Sequence, residues 1–179
     1  LAAAQALLAE AGWTVQDGKL KNAAGETMDF EFLIFSPAFE PIVAPFVQNL
    51  ERLGITATMN TLQDSAQIVE RLRTFDFEMM VNTFGQSLSP GNEQRNYWSS
   101  EAADTEGSSN YIGIKDPVVN ELIETLIASP DRESLIAATH ALDRVLLWNH
   151  YVVPNWYVPT DRVVYWNMFG RPELPENFY

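Results

Sequence analysis

The chain has 179 residues, of which 46% are hydrophobic and 12% aromatic, enough for the substantial core of a globular domain. A formal net charge of −13 argues against a nucleic-acid partner, because binding a phosphate backbone requires clustered Lys and Arg. The absence of cysteine excludes disulfides and thiol chemistry, and no stretch approaches the roughly 20 consecutive apolar residues of a membrane-spanning helix.

The opening of the chain is predicted to be helical. Apolar residues recur at helical spacing through Leu1–Ala11, and Gly12 stands where a left-handed C-terminal cap falls. Two glycine-centred turns in Trp13–Thr27 then indicate a short hairpin. The first residues lack the basic start of a signal peptide and have the pattern of the inside of a helix, so we expect a piece of a longer protein, and the missing signal says nothing about export.

Strands alternate with helices in the next segment. Strands are predicted at 28–35, 55–62 and 77–84, and helices at 41–53 and from Asp64 or Ser65 through Leu72. Strand, helix and strand at this spacing form a right-handed crossover with parallel pairing. The predicted fold class is therefore α/β, with a mixed, mainly parallel sheet flanked by helices.

The second half is predicted to be mainly helical, with two late strands. A surface loop is expected at 99–110, followed by helices from Asp116 to Ile127 and from Arg132 to Trp148, the latter capped by Asp131. Val152–Tyr157 and Arg162–Trp166 have the composition of edge strands near prolines. Five aromatic residues of this region are expected in the core: Trp148, Trp156, Tyr157, Tyr165 and Trp166.

The candidate ligand site is the loop Gly85–Trp98. It follows Phe77–Phe84, which has the pattern of a strand buried on both faces, and ligands of open α/β sheets bind beyond the carboxyl ends of the strands. The residues predicted to bind ligand are Gln86, Ser87, Leu88, Ser89, Asn92, Gln94, Arg95, Tyr97 and Trp98.

Some of these side chains have alternative interpretations. The planar fork of Arg95 suits a ligand carboxylate or phosphate, but Arg95 could equally be solvated or bonded to Glu93. Tyr97 and Trp98 could line the site or pack in the core. Arg132 is predicted on a surface helix, where its replacement should leave binding unchanged.

Catalytic constellations are scarce in this sequence. His140 and His150 lie too far apart for a helical metal pair, and Asp143 could hydrogen-bond His140 without any chemistry. No nucleophile elbow, P-loop or GxGxxG pattern occurs. We therefore assign no catalytic residue, metal ligand or cofactor, and a hydrolase using one of the histidines is the enzyme alternative.

A succession of motifs carries a family resemblance. These motifs are LLAEAGW, DGKLKNAAGE, FLIFSP, FVQNLERLGITATMN, RTFDFEMMV, QSLSPGNEQRNYW, GSSNYIGIKDPVVNELIETLI and ALDRVLLWNHYVVPNWY. In this order they resemble the peptide/nickel family of extracytoplasmic solute-binding proteins, the receptors of ABC importers. The last two resemble the branch that takes up oligopeptides and microcin-C-like peptide conjugates.

The resemblance implies a monomeric receptor outside the cytoplasm that binds oligopeptides or peptide conjugates and delivers them to permease subunits. Residues 1–168 would form the C-terminal, ligand-binding lobe of a type II periplasmic-binding-protein-like clamshell, and 169–179 a connection toward the other lobe. The alternatives are a lobe for another solute such as a metal chelate, and a module that only docks on a permease.

The candidate loop departs from the family pattern. That loop often carries an aromatic and then an acidic residue ahead of a proline, the acid pairing with the ammonium group of a bound peptide. Pro90 matches the proline, whereas Gln86 takes the place of the acid and Thr83 or Phe84 that of the aromatic. An amide can accept a hydrogen bond without supplying charge, which favours a modified, longer or differently oriented ligand.

Overall fold

The structure, a computed structural model, describes residues 1–158, 160, 162–168 and 170. The chain divides into two compact units, unit 1 over Leu1–Phe84 and unit 2 over Gly85–Tyr179. Among the described residues, no helix is both long and apolar enough to cross a membrane.

Unit 1 contains the predicted alternation of strands and helices. Its elements are α1 (Ala2–Glu10), β1 (Thr14–Gln16), β2 (Lys19–Lys21), β3 (Asp29–Ile34), a 3₁₀ turn (Pro37–Phe39), α2 (Glu40–Glu51), β4 (Thr56–Thr61), α3 (Ser65–Arg73) and β5 (Met79–Met80). The hairpin predicted at 13–27 is present, because β1 and β2 pair antiparallel.

The main sheet has the order β4–β3–β5, and both of its strand pairs are parallel. This confirms the predicted α/β class and the placement of the three strands in one sheet. The strand predicted over 77–84 is wrong in extent, since only Met79–Met80 pair with β3 and no residue of 77–84 is buried. The apolar segment 77–84 pairs with only one strand, β3, and only through two residues. Hydrophobic periodicity predicts a strand but not how many of its residues find a partner.

Residues of β3 and α2 form the main core of unit 1. Phe32 and Ile34 pack against Val43 and Val47 of α2, and all four side chains are buried. Their spacing follows the period of two in a strand and of about 3.6 in a helix. The face of α2 that carries Val43 and Val47 therefore covers the sheet.

A second core joins the hairpin to the end of α2. It contains the buried side chains of Leu20, Leu53 and Ile55. Gly54 lies between the last two with φ +83°, and its carbonyl accepts a hydrogen bond from the Leu20 N–H at 2.7 Å. A β carbon on Gly54 would lie 2.8 Å from the Leu20 nitrogen, so only glycine fits this junction.

The regular elements of unit 2, within the described residues, are helices. Unit 2 contains α4 (Glu93–Trp98), α5 (Ser100–Ala103), α6 (Pro117–Ile127) and α7 (Arg132–Trp148). The last two helices, predicted with these bounds, bury apolar residues that include Ile123 and Leu142. The predicted cap of α7 is confirmed, because Asp131 accepts from the Ser134 N–H at 2.8 Å. Asp116 caps α6 in the same way, since it accepts from the Val118 N–H at 2.8 Å.

The prediction of a surface loop at 99–110 is confirmed only at 104–107, which are exposed and irregular. The segment contains α5 and buries Ala102, Ser108 and Asn110. Asn110, 1% exposed, donates to the carbonyls of Ser99 at 2.9 Å and Ile114 at 3.1 Å, and accepts from the Ile114 N–H at 3.0 Å. The Asn110 side chain therefore satisfies buried backbone groups instead of facing water.

The prediction of two late strands is also wrong within the described residues. Val152–Tyr157 and Arg162–Trp166 form no ladder there, because a strand requires a partner that composition does not reveal. The aromatics predicted in the core are exposed, as three fractions illustrate: 74% for Trp148, 83% for Tyr157 and 83% for Trp166. Trp156 and Tyr165 are exposed as well. The predicted connection 169–179 lies outside the described residues except at Gly170.

Candidate functional site

The predicted loop has two structurally different halves. Residues 85–92 are irregular backbone, with the side chains of Gln86, Ser87, Leu88, Ser89 and Asn92 exposed, whereas the second half is helix α4. Gln94 is 3% exposed and Trp98 7% exposed, so both lie in the interior of unit 2. Tyr97 is half-buried, with its ring centroid 5.8 Å from that of Trp98. The structure thus places surface groups in the first half and their supports in the second.

A chain of three side chains connects the interior to the loop. The Trp98 indole N–H donates to Gln94 Oε1 at 2.9 Å, and Gln94 Nε2 donates to Gln86 Oε1 at 2.7 Å. Gln94 Nε2 also lies 3.2 Å from Glu93 Oε1, which accepts from it. We call the Trp98–Gln94–Gln86 series the amide relay. It fixes an exposed side chain through two buried ones.

The Glu93 side chain holds the backbone of the loop at Gly91. Its Oε1 accepts from the Gly91 N–H at 2.8 Å. Burial raises the pKa of the Glu93 carboxyl, but hydrogen bonds from the backbone N–H groups of Gly91 and Glu93 and from Gln94 outweigh it, and the pKa lies below its usual range. Glu93 is therefore ionised, and as an acceptor it matches the amide hydrogens that face it.

Arg132, on helix α7, is a further support of the loop. Its Nη1 donates to the backbone carbonyl of Leu88. The predicted surface helix is confirmed, because Arg132 is exposed at the start of α7. Its bond to Leu88, 44 positions earlier in the chain, revises the expectation that its replacement leaves binding unchanged. Tyr97 also supports the loop, since its hydroxyl donates to the Gly85 carbonyl at 3.3 Å.

Arg95 binds a partner that neither alternative named. Its Nε and Nη2 donate to the two carboxylate oxygens of Glu124 on α6, at 2.7 and 2.6 Å, and its Nη1 donates to Asn92 Oδ1 at 2.9 Å. The hydrogen bonds with Glu124 raise the pKa of the guanidinium and lower that of the carboxyl. Both side chains are about half exposed, so the pair fixes geometry more than it adds stability.

We predict that this pair makes stability depend on pH. The pKa of Glu124 is lower in the folded state than in the unfolded state, so its contribution is complete above the unfolded value, about 4.3. It is lost as pH falls through the folded value. The stability difference between the parent and Glu124→Gln should therefore be constant above about pH 5.5 and shrink toward pH 3. Urea denaturation across this range measures it, and Glu121→Gln, one turn away on α6, is the control.

Catalytic or metal-binding groups were not predicted, and we assign none. Both His140 and His150 are exposed. Within the described part of the chain, no group of three or more His, Asp or Glu side chains is placed to hold a metal ion. The chemistry that the loop offers is hydrogen bonding by amides, hydroxyls and backbone groups.

The sequence is similar to a known family over more than half of its length. Residues 1–106, which include the loop, match the family described as bacterial extracellular solute-binding proteins, family 5 Middle. The chain is 45% identical over 172 residues to a probable peptide-binding protein, YejA, of Agrobacterium fabrum, covering 95% of this chain and 28% of that protein. It is 34% identical over 167 residues to the peptidoglycan-binding protein YepA of the same organism, covering 93% and 27%.

The fold is similar to that of solved receptors. The oligopeptide-binding protein AppA of Bacillus subtilis, solved in complex with a nonapeptide, superimposes with a TM-score of 0.73 and 22% identity, over 83% of this chain and 30% of that one. The chain spans about a quarter of the length of the curated relatives it matches. By its sequence match over residues 1–106, the chain belongs to family 5 of the bacterial extracellular solute-binding proteins.

Proposed function

We propose that this chain is part of the solute-binding component of an ABC importer for oligopeptides or peptide conjugates. Residues 1–168 would form the C-terminal, ligand-binding lobe, residues 169–179 a connection to the other lobe, and the loop 85–98 part of the ligand site. One observation carries the proposal: in a member of this family, a loop with a row of exposed hydrogen-bonding groups has one of them, Gln86, bonded to buried Gln94, which is bonded in turn to buried Trp98. Ordered loops of this kind suit ligand binding because little entropy is lost on association.

The names of the relatives support the ligand class. One is named as a probable peptide-binding protein and another as a peptidoglycan-binding protein. Peptidoglycan carries short peptides on sugar chains, so the two names share peptide chemistry and extend it to conjugates. Backbone groups and amides such as those at 86–92 bind a peptide main chain without selecting its side chains.

The proposed setting follows from the family. The receptor would work outside the cytoplasm as a monomer, deliver its ligand to the permease subunits, and perform no catalysis. For the hydrolase alternative, peptides incubated with the protein should be recovered intact by mass spectrometry. Cleavage that is lost in His140→Asn or His150→Asn would contradict the proposal.

The test of ligand class uses the longer protein that contains this chain, purified without refolding. Native mass spectrometry should show copurified peptide or peptide conjugate released on unfolding, and calorimetry should show binding of tetra-alanine. A metal chelate or sugar released instead, with no binding of tetra-alanine, overturns the proposal.

The loop itself is tested through Arg132. Arg132→Ala removes the donor to the Leu88 carbonyl and frees the loop, so affinity for tetra-alanine should fall about two- to tenfold, as expected for one hydrogen bond. Arg144→Ala is the matched control, because it removes the same charge from an exposed position of the same helix. Equal affinities of the two variants would place the site away from the loop.

A further inference from the structure

The amide relay has a direction, and its chemistry determines that direction. The indole nitrogen of Trp98 can only donate, so the group of Gln94 that faces it at 2.9 Å must be the carbonyl oxygen. The amino group of Gln94 then faces Gln86. The same orientation is required by Glu93, since its ionised carboxylate only accepts and lies 3.2 Å from Gln94 Nε2.

The orientation of the Gln94 amide also fixes the orientation of the exposed Gln86 amide. The Gln94 amino group donates, so the group of Gln86 at 2.7 Å from it must be the carbonyl oxygen. The oxygen of Gln86 is therefore engaged toward the interior. Its amino group makes no hydrogen bond within the described part of the chain, and the side chain is exposed.

We propose that Gln86 is a specificity-determining residue that presents a fixed hydrogen-bond donor to the ligand, because the buried relay engages its acceptor. The ligand group that it takes is an acceptor, either a peptide carbonyl or a carboxylate, and an ammonium group is disfavoured. This rests on the proposed function. It also revises the expectation from the sequence that this amide accepts a hydrogen bond in place of the family's acid.

The proposal is tested by whether one substitution weakens or strengthens ligand binding. Gln86→Glu is almost isosteric and can still accept from Gln94, but it presents an anionic acceptor where the parent presents a donor. The longer protein carrying Gln86→Glu should bind tetra-alanine about tenfold more weakly or worse, and Gln86→Ala about two- to tenfold more weakly. Gln48→Glu, the same change at an exposed position of α2, is the control and should bind like the parent.

Two probes distinguish the acceptor. If a carboxylate faces Gln86, replacing tetra-alanine by its C-terminal amide should reduce the penalty of Gln86→Glu, whereas a backbone carbonyl leaves the penalty unchanged. Tighter binding by Gln86→Glu would mean that the site takes an ammonium group. That result, or unchanged affinity, overturns the proposal.

A measurement without ligand separates this proposal from the function on which it rests. In protein labelled with [15N]glutamine, the side-chain amide hydrogens of Gln94 should exchange slowly with water and those of Gln86 rapidly. Equal rates would mean that the relay does not exist in solution. Failure of the parent to bind tetra-alanine contradicts the proposed function, and the exchange rates still decide the relay.

Discussion

Gly54→Ala is expected to lower the free energy of unfolding by about 2–4 kcal/mol. A residue with a side chain pays for the left-handed conformation at φ +83°. The new β carbon would also lie 2.8 Å from the Leu20 nitrogen and 3.1 Å from the Lys19 carbonyl carbon, which are backbone atoms that cannot rotate away. Urea denaturation of the purified protein measures the loss.

Gly12→Ala separates the two causes. Gly12 has a similar φ of +86°, but a β carbon there meets nothing within 4 Å. This variant should lose only the conformational penalty, about 1–2 kcal/mol. An equal loss in both variants would mean that the backbone of the hairpin moves away from Gly54 at no cost.

Asn110→Ala is expected to cost about 2–4 kcal/mol, because it leaves buried backbone groups without partners. The carbonyl of Ser99 and both the carbonyl and the N–H of Ile114 each bond the Asn110 side chain. With that side chain 1% exposed, water cannot replace the lost bonds without opening the segment. Thermal unfolding followed by circular dichroism should show the loss.

Asn96→Ala is the matched control for this change. Asn96 is exposed, and its Nδ2 donates to Ser109 Oγ at 3.0 Å. Its replacement should change stability by less than about 0.5 kcal/mol, as for other exposed positions. A loss at Asn110 no larger than at Asn96 would show that the segment 99–114 opens readily in solution.

The sequence predicts the elements whose signals are local. Helices α6 and α7 follow from their apolar spacing and from Asp116 and Asp131, because a cap bonds backbone groups only two or three residues away. Strands β3 and β4 follow from short β-rich runs on either side of a helix, and the sense of their pairing from the handedness of crossovers.

Features that depend on distant partners could not be predicted. Arg95 and Glu124 are 29 residues apart, and Arg132 and Leu88 are 44 apart, so no spacing rule connects them. The buried state of Asn110 depends on carbonyls that only the fold brings around it. Gln94 and Trp98 are one helical turn apart, so their contact could have been found from the sequence, whereas the direction of the relay needed its geometry.

The amide relay is also insensitive to the pH of the surrounding medium. Neither amides nor the indole gain or lose a proton at ordinary acidity, whereas a carboxylate at position 86 would be neutralised in acid surroundings. The titratable group that touches the relay in the described residues is Glu93, and its lowered pKa keeps it charged further into acid than an ordinary glutamate. The hydrogen-bond donor of Gln86 would thus stay available, in the same orientation, as the medium changes from neutral to acidic.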